Sequence, residues 1–260
     1  MFDSNTISQY IKTPGINLIY VESCSSTNTL LKELAQDGAP EKTVIIAAGQ
    51  SAGRGRLGRS FFSPEGCGLY MSILLRPELK VENALEITTV AGVTTARMIR
   101  RHTSMAVGIK WVIDIYIDNK KVCGILTESS VDTSGTKLDY AVLGIGINLF
   151  TPNGGFPEEI SDIACSLFDR KSDDDIKSKL AAEIIDAFFE EYSDIGNNHL
   201  INEYRDHSII IGKDVNIITG DGTLSAKVIG INDNYSLDVI CDDGKRLTVN
   251  SGDVSIRIKK

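Results

Sequence analysis

The stretch Gln50-Ser51-Ala52-Gly53-Arg54-Gly55-Arg56-Leu57-Gly58-Arg59 decides which fold class this chain can adopt. Its three arginines alternate with three glycines, directly after an apolar run at residues 44–48. Glycines let backbone N–H groups approach a ligand closely, and each guanidinium offers a planar fork that suits phosphate or carboxylate. Residues 50–59, which we call the glycine/arginine loop, therefore indicate a seat for an anionic ligand. A solvated hairpin would explain them equally well.

Gly53, Gly55 and Gly58 also match G-x-G-x-x-G, the pattern of dinucleotide-binding folds. Such folds need a helix that begins at the last glycine, so that its N-terminus faces the pyrophosphate. Pro64 and Gly66 follow instead, and a helix would tolerate neither. No Gly-Lys-Ser/Thr follows the glycines, so a P-loop is excluded as well. The loop must therefore belong to another fold.

Helical and extended patterns alternate irregularly on either side of the loop. Strands are predicted at residues 18–21, 44–48, 69–75, 107–111, 114–117, 121–128 and 140–149, and helices at residues 30–38, 83–102, 173–192 and 201–207. Several of these strands follow one another as hairpins. We therefore predict an α+β domain with a mixed or antiparallel sheet packed with helices.

Beyond Ser208 the pattern changes to strict alternation of apolar and polar residues. Short strands there are separated by turns at Gly220-Asp221-Gly222, Asp233-Asn234 and Asp242-Asp243-Gly244. Such closely spaced strands are typical of a small β-barrel. We therefore divide the chain into a large domain at residues 1–208 and a C-terminal module at residues 209–260.

The chain has 260 residues and a net charge of −8, with 42% apolar and 24% charged residues. These fractions are average for soluble globular proteins. No apolar run approaches the ~20 residues of a membrane span, and residues 1–14 lack a signal pattern. We therefore expect a cytoplasmic protein without a membrane partner. The acidic balance argues against nucleic acid as its main partner.

The cysteines and histidines are scattered along the chain. The cysteines form no CxxC pair, and the histidines lie at no ligand spacing from them or from each other. Neither a disulfide framework nor a zinc site is therefore indicated. The cysteines are expected to be ordinary buried thiols.

Glycines interrupt two of the predicted strands. Gly144 and Gly146 lie on one face of the strand at residues 140–149, and Gly124 interrupts the strand at residues 121–128. Such a flat strip lets something lie against the backbone, either a ligand or a closely packed helix. The sequence pattern does not choose between the two.

Three further segments carry reactive residues that also have ordinary explanations. Ser25-Ser26-Thr27-Asn28 precedes a helix and would cap it. Lys121 stands where a strand leaves a turn, and most such lysines are solvated. In Lys110-Trp111-Val112-Ile113-Asp114, the final aspartate would either hold Mg²⁺ or serve as a turn residue.

Together these segments resemble the ordered motifs of biotin protein ligases. The matching segments are Ser25-Ser26-Thr27-Asn28, the glycine/arginine loop, Lys110-Trp111 with Asp114, Lys121-Val122-Cys123-Gly124-Ile125-Leu126, Gly144-Ile145-Gly146-Ile147-Asn148 and the closing strand Gly252-Asp253-Val254-Ser255-Ile256-Arg257. The resemblance covers nearly the whole chain. It implies the catalytic fold shared with lipoate ligases, followed by an SH3-like barrel.

The resemblance also implies an activity and a set of site residues. Members of the family join biotin to ATP as biotinyl-5′-adenylate and pass biotin to one lysine of a biotin carboxyl carrier domain. The biotin site would comprise Ser26, Thr27, Gln50, Gly53, Arg54, Lys121, Gly124, Gly144 and Gly146. ATP would be bound by Arg56, Arg59, Phe61, Lys110 and Asn148. Asp114 would bind Mg²⁺, and the catalytic set would be Arg56, Lys121 and Asp114.

These roles suit the charges of the residues. Bringing the biotin carboxylate to the α-phosphate sets anion against anion, so nearby cations supply electrostatic and positional help. Lys121 is expected to bind the carboxylate and Arg56 the phosphates. A mixed anhydride hydrolyses in water, so the glycine/arginine loop is expected to close over it.

The chain departs from the family pattern at two places. The family reads Lys-Trp-Pro-Asn-Asp where this chain has Val112 and Ile113 in the middle. Slower adenylation is therefore predicted, and reverting both residues is expected to raise the ATP-dependent rate. The residues before Ser23 cannot hold the winged helix of some relatives, so DNA binding is not expected.

Two other functions stay open from the sequence. A biotin sensor that has lost adenylation would fit Ile113, and pyrophosphate release would distinguish it from a ligase. Lipoyl or octanoyl transfer on the same fold would not need the arginine loop, so Arg54 and Arg56 argue against it. The sequence leaves open a homodimer and the identity of the carrier.

Overall fold

The structure, a computed structural model, describes residues 2–169, 174–219, 222–250 and 255–258. Its helices are α1 (Ser4–Ser8), α2 (Thr27–Gln36), α3 (Ala84–His102), α4 (Glu158–Ser161), α5 (Asp174–Tyr192) and α6 (Ile201–Asp206). Its strands are β1 (Asn17–Cys24), β2 (Thr43–Gln50), β3 (Gly68–Leu75), β4 (Val107–Lys110), β5 (Asp114–Ile117), β6 (Lys120–Val131), β7 (Leu138–Asn148), β8 (Asp214–Thr219), β9 (Gly222–Ile231), β10 (Leu237–Cys241), β11 (Arg246–Val249) and β12 (Ser255–Ile258). The predicted turn at residues 220–222 and the closing strand at residues 252–257 lie partly outside the described residues.

Two sheets organise the fold. The larger sheet has seven strands in the order β1-β2-β3-β7-β6-β5-β4, in which β1 and β2 run parallel and the other neighbours antiparallel. The smaller sheet has five antiparallel strands in the order β11-β10-β9-β8-β12. The predicted α+β fold with a mixed sheet is therefore confirmed. Closure of the smaller sheet into a barrel and the domain boundary at Ser208 stay predictions.

Helices cover both faces of the larger sheet. Successive side chains of a strand point to opposite faces, and the central strands β2 and β3 are therefore buried along nearly their whole length. On one face, Leu31 and Ala35 of α2 form an apolar cluster with Ile45, Leu74 and Val142. The main core, with α3 and α5, lies on the other face. In the described part of the chain, no helix is both long and apolar enough to cross a membrane.

Short elements were the ones that the sequence patterns missed. Helices α1 and α4 have five and four residues, which is too short for an apolar pattern of period 3.6 to repeat. Strand β4 ends at Lys110 rather than at the predicted residue 111, because Trp111 already belongs to a turn. The longer helices and strands begin and end within a few residues of their predicted bounds.

Trp111 joins the two sheets. Its indole is 5% exposed, and Nε1 donates a hydrogen bond to the carbonyl oxygen of Tyr235 at 2.7 Å. Tyr204 of α6 donates its hydroxyl to the carbonyl oxygen of Val112 and packs edge-on against the Tyr235 ring. The Trp111–Val112 peptide bond is cis. The turn at residues 111–113 is thus anchored to the smaller sheet.

Candidate active site

Three glycines make a flat strip on the α2 face of the larger sheet. Gly124 of β6 pairs directly with Gly146 of β7, and Gly144 lies two residues earlier in β7. Because these positions carry no side chains, they leave a gap that we call the glycine slot (Gly124, Gly144 and Gly146). Leu143 and Ile145, between and beside them, point to the opposite face and belong to the main core.

Different groups cover the two ends of the glycine slot. A Cβ at Gly144 would lie 2.2 Å from Oδ1 of Asn28 in α2, so a helix packs closely on the sheet at this end. A Cβ at Gly146 would lie 2.7 Å from the Phe61 ring, and one at Gly124 would lie 3.1 Å from Nζ of Lys121. Close packing of a helix is therefore confirmed at the Gly144 end. The side chains of Phe61 and Lys121 cover the Gly124–Gly146 end, and a ligand at this end stays a prediction.

Hydrogen bonds between polar side chains form the wall beside Gly144. The Ser72 hydroxyl lies 2.7 Å from Oγ1 of Thr27 and 2.6 Å from Oδ1 of Asn28. Oε1 of Gln50 accepts from the backbone N–H of Thr27 at 2.8 Å, and Nε2 of Gln50 donates to Oγ of Ser63 at 3.0 Å. Hydrogen bonds therefore hold the polar groups at this end of the slot in place.

Helix capping, one explanation of the segment Ser25-Ser26-Thr27-Asn28, is not what the Ser26 side chain does. Ser26 occupies the N-cap position, but its side chain makes no capping hydrogen bond. The Gln50 side chain at the end of β2 accepts the N–H of Thr27 in its place. This contact carries no local sequence signal, because Gln50 and Thr27 lie 23 residues apart, whereas capping by Ser26 would be local.

The glycine/arginine loop folds back on itself. The backbone N–H of Ala52 donates to the oxygen of Ser25 at 2.8 Å, and that of Gly55 donates to the oxygen of Arg59 at 2.7 Å. A single 3₁₀ turn at Arg56–Gly58 forms the tip, and Arg59 is extended. No helix begins at the last glycine of the loop, so the exclusion of a dinucleotide-binding fold is confirmed.

Phe61 connects the loop to the glycine slot. Its N–H donates to the oxygen of Gly53 at 2.9 Å, and a Cβ at Gly53 would lie only 2.4 Å from the Phe61 oxygen. The Phe61 ring lies against Gly146, and Nζ of Lys121 is 5.9 Å from the centre of the ring. The position of the loop therefore determines whether this end of the slot is covered.

The carboxylate of Glu128 in β6 contacts three side chains, those of Asn28, Lys32 and Arg54. Its Oε1 lies 3.0 Å from Nζ of Lys32 and 3.3 Å from Nη2 of Arg54, and its Oε2 accepts from Nδ2 of Asn28 at 3.0 Å. Burial alone would raise the pKa of Glu128. Hydrogen bonds from Asn28 and Lys32, together with the charges of Lys32 and Arg54, outweigh that effect and hold the pKa below its usual range. Glu128 is therefore ionised at neutral pH.

Lys121 and Asp114 form an ion pair inside the cavity. Nζ of Lys121 lies 2.7 Å from Oδ1 of Asp114, with the side chains 30% and 37% exposed. The backbone of Lys121 also makes two hydrogen bonds: its N–H donates to the carbonyl oxygen of Ile163, and its carbonyl oxygen accepts from the N–H of Cys165. Lys121 is thus held in a wall and does not behave as a solvated hairpin residue.

Lys110 and Arg56 contribute further positive charge. Burial lowers the pKa of Lys110, and the charge of Lys121 lowers it further, whereas Asp114 opposes this shift. Burial also lowers the pKa of Arg56, again opposed by Asp114. A guanidinium stays charged despite such a shift, since arginine is not deprotonated in proteins. The cavity therefore carries a concentration of cations around one carboxylate.

All fifteen site residues that the resemblance implied line a single cavity of about 1540 Å³. Some of them also make structural contacts: Asn28 covers Gly144, the Phe61 oxygen lies close to Gly53, and Nδ2 of Asn148 donates to the carbonyl oxygen of Cys165 at 3.0 Å. Residues that belong to none of the sequence motifs also line it, among them Tyr116, Phe156 and Ile160. They come from distant segments and carry no local signal.

Val112 and Ile113 border the cavity but are nearly buried. Their side chains are 3% and 2% exposed, and Cγ2 of Ile113 lies 3.2 Å from where a Cβ of Gly92 in α3 would stand. An asparagine at position 113 would therefore place its amide against α3. The expectation that reverting both residues raises the ATP-dependent rate stays a prediction.

For the single change, we predict that Ile113→Asn lowers the free energy of unfolding by about 1–2 kcal/mol, because it buries an amide without partners. Urea denaturation of the variant and of wild type measures the difference. Ile229→Asn, at a position that is 42% exposed, is the matched control and is expected to have little effect. Equal stability of Ile113→Asn and wild type would contradict the prediction.

Comparisons with known proteins agree with this geometry. Residues 20–148 match the Biotin/lipoate A/B protein ligase family, and residues 210–257 match the biotin protein ligase C-terminal domain. The chain is 34% identical over 222 residues to the bifunctional ligase/repressor BirA of Bacillus spizizenii, covering 84% of this chain and 68% of that protein. It is 27% identical to the biotin--[acetyl-CoA-carboxylase] ligase of Mycobacterium tuberculosis, with 90% of this chain and 86% of that protein covered.

A solved structure is similar as well. The biotin protein ligase from Aquifex aeolicus in complex with biotin and ATP has a TM-score of 0.79 at 28% identity, covering 94% of this chain and 99% of that one.

A mixed sheet that carries a glycine slot beneath a cationic loop defines a catalytic domain of the biotin/lipoate ligase class. The C-terminal match and the relatives narrow this class further. The chain belongs to the biotin protein ligase family. The family membership that the ordered motifs indicated is therefore confirmed, while the roles of single residues stay predictions.

Proposed function

We propose that this chain joins biotin to ATP as biotinyl-5′-AMP and then transfers biotin to a lysine of a biotin-dependent carboxylase. In the first step a biotin carboxylate oxygen attacks the α-phosphorus, and the bond to pyrophosphate breaks. In the second step the lysine amine attacks the carbonyl carbon of the anhydride, loses a proton, and AMP leaves. Since the reaction consumes ATP, we place it in the cytoplasm.

The observation that carries the proposal is that an uncharged slot and a cluster of cations lie side by side in one cavity. Its volume exceeds the ~300–1,000 Å³ of a typical pocket for one small ligand, so two substrates fit side by side. The glycine slot suits the planar ureido group of biotin, whose polar atoms would face Thr27, Asn28 and Gln50. Arg56, Lys110 and Lys121 suit a carboxylate and phosphates.

The cations would assist the first step by offsetting the repulsion between the two anions. Lys121, beside Gly124 in the slot, would hold the biotin carboxylate. Arg56 and Lys110 would hold the phosphates of ATP. Charges that are already fixed in a partly buried site stabilise developing charge more than mobile water does.

ATP implies Mg²⁺, and Asp114 suits it as a single ligand. In the described residues no three His, Cys, Asp or Glu side chains cluster to form a metal cage. Mg²⁺ commonly binds through one or two carboxylates and completes its shell with waters and phosphates, so one aspartate beside the phosphates fits. When bound, the ion would neutralise phosphate charge. Asp114 would then release Lys121, which would be available to the carboxylate.

The glycine/arginine loop would protect the intermediate. A mixed anhydride is lost if water reaches it before the carrier lysine does. Phe61 covers the Gly124–Gly146 end of the slot and is tied to the loop at Gly53. Closure of the loop over biotinyl-5′-AMP would therefore exclude water, and opening would admit the carrier.

The test combines two measurements on the full chain. Pyrophosphate release is followed with biotin, ATP and Mg²⁺, and a carboxylase carrier domain is then added and its intact mass recorded. We expect pyrophosphate in the first assay and the mass of one biotinyl group in the second, with none on a carrier whose acceptor lysine is replaced by arginine. Biotin binding without pyrophosphate would indicate a sensor. Preference for lipoate in competition would indicate an acyl transferase.

The lowered pKa of Lys110 predicts a pH dependence. A lysine whose pKa is lowered loses its positive charge at a lower pH than an ordinary lysine, so kcat/KM for ATP is expected to fall as the pH rises through that value. In Lys110→Arg the fall should move to higher pH, because guanidinium keeps its charge. Pyrophosphate release measured across alkaline pH checks this. Lys137→Arg, at an exposed position, is the control, and an unshifted fall in Lys110→Arg would contradict the prediction.

A further inference from the structure

Glu128 has no part in the chemistry proposed above, yet three elements of the fold meet at its carboxylate. Asn28 and Lys32 reach it from α2, and Arg54 reaches it from the glycine/arginine loop. Lys32 and Arg54 share the same oxygen, Oε1, at 3.0 and 3.3 Å. The Glu128 side chain is 16% exposed, so its charge is only partly screened by water.

The contact with Arg54 acts on the part of the loop that covers the slot. Arg54 forms an antiparallel bridge with Ser60, so the two arms of the loop are joined at this residue. Phe61 follows Ser60 directly and is bonded to Gly53, next to Arg54. An attraction between Arg54 and the sheet therefore also draws Phe61 toward the glycine slot.

We propose that Glu128 is a positioning residue that holds the glycine/arginine loop closed over the glycine slot through its ion pair with Arg54. The pair is suited to repeated opening. Arg54 is 48% exposed, and ion pairs of exposed side chains are weak. When Arg54 moves away, Lys32 still pairs with the carboxylate, so opening of the loop does not leave the partly buried charge of Glu128 without a partner.

Trypsin tests loop closure without relying on the proposed activity. The loop offers cleavage sites after Arg54, Arg56 and Arg59, and intact mass shows where the chain is cut. In Glu128→Gln, cleavage in the loop of the native protein is expected to be about twofold to fivefold faster than in wild type. The control Glu78→Gln removes a carboxylate from an exposed ion pair with Lys137 and should leave the rate unchanged. A wild-type cleavage rate in a folded Glu128→Gln protein would overturn the proposal.

A double-mutant cycle tests whether Glu128 acts through Arg54. Arg54→Gln removes the other half of the pair and is expected to speed cleavage after Arg56 and Arg59 by a similar factor. Adding Glu128→Gln to it should then have no further effect, because interacting residues are not additive. Additive effects would show that Glu128 supports the loop through Asn28 or Lys32 and would overturn the proposal. Arg54→Gln alone provides the comparison if Glu128→Gln fails to fold.

The kinetic consequence rests on the proposed function. A looser loop should raise the amount of pyrophosphate released per carrier biotinylated, since more adenylate is lost to water. If wild type is active and Glu128→Gln releases the same amount of pyrophosphate per carrier biotinylated, the inference is overturned and the proposed function remains intact. Absence of pyrophosphate from wild type would overturn the proposed function, and the tryptic rates would still decide the role of Glu128.

Discussion

Lys121→Gln is expected to lower the rate of biotin-dependent pyrophosphate release by about 10²–10³-fold, the loss seen when one fixed donor is removed from developing charge. Lys121 is the cation closest to the glycine slot, with Nζ 3.1 Å from the position of a Gly124 Cβ. It also lies 2.7 Å from Asp114, so its side chain joins the slot to the region assigned to ATP. Glutamine keeps much of the length of the side chain and removes its charge.

The fold should survive this substitution. The contacts of Lys121 with Ile163 and Cys165 use backbone atoms, which glutamine retains. Lys137→Gln, which breaks an exposed ion pair with Glu78, controls for the loss of a lysine. The rates are measured at saturating ATP over a range of biotin concentrations. A rate for Lys121→Gln equal to that of the control would remove Lys121 from the proposed chemistry.

Gly144→Ala is expected to lower the free energy of unfolding by about 2–3 kcal/mol, the cost of forcing an extra methyl group into a packed site. The new Cβ would stand 2.2 Å from Oδ1 of Asn28. Asn28 cannot yield easily, because Ser72 lies 2.6 Å from its oxygen and Glu128 accepts from its nitrogen at 3.0 Å. Displacing it also disturbs Thr27, so biotin binding is expected to weaken.

Urea denaturation and calorimetric titration with biotin measure the two effects. Gly230→Ala is the matched control, because Gly230 also lies in a strand and nothing stands within 4 Å of its Cβ position. Combining Gly144→Ala with Asn28→Ala should cost less than the sum of the single changes, since the methyl group then has room. Full stability of Gly144→Ala with unchanged biotin affinity would show that Asn28 can move aside.

The sequence patterns predicted the glycine slot better than they predicted the side chains that cover it. Alternation placed Gly144 and Gly146 on one face of a strand, because side chains along a strand repeat every two residues. The direct pairing of Gly124 with Gly146 depends on the register between two strands, which a single sequence does not state. The division of the strip between Asn28 and Phe61 likewise depends on packing between segments that are far apart in the chain.

Charged residues illustrate the same limit. Arg54, Arg56, Lys110, Asp114 and Lys121 were found because their segments carry recognisable motifs. The partners of these charged side chains were not predicted, because an ion pair forms between groups that are close in space and need not be close in the sequence. The sequence assigned Lys121 and Asp114 to separate ligands, whereas the structure pairs them with each other. Glu128 carried no signal, since one glutamate at the polar end of a strand resembles any solvated residue.

The sequence by itself determined the fold class, the identity of the family and the non-helical course of the glycine/arginine loop. Periodicity, glycine and proline act locally, and the ordered motifs are specific as a set. Only the tertiary structure decided what lies across each glycine, what caps α2, and which carboxylate holds Arg54. Those contacts join residues that are brought together by strand register and helix packing, which depend on the whole chain at once.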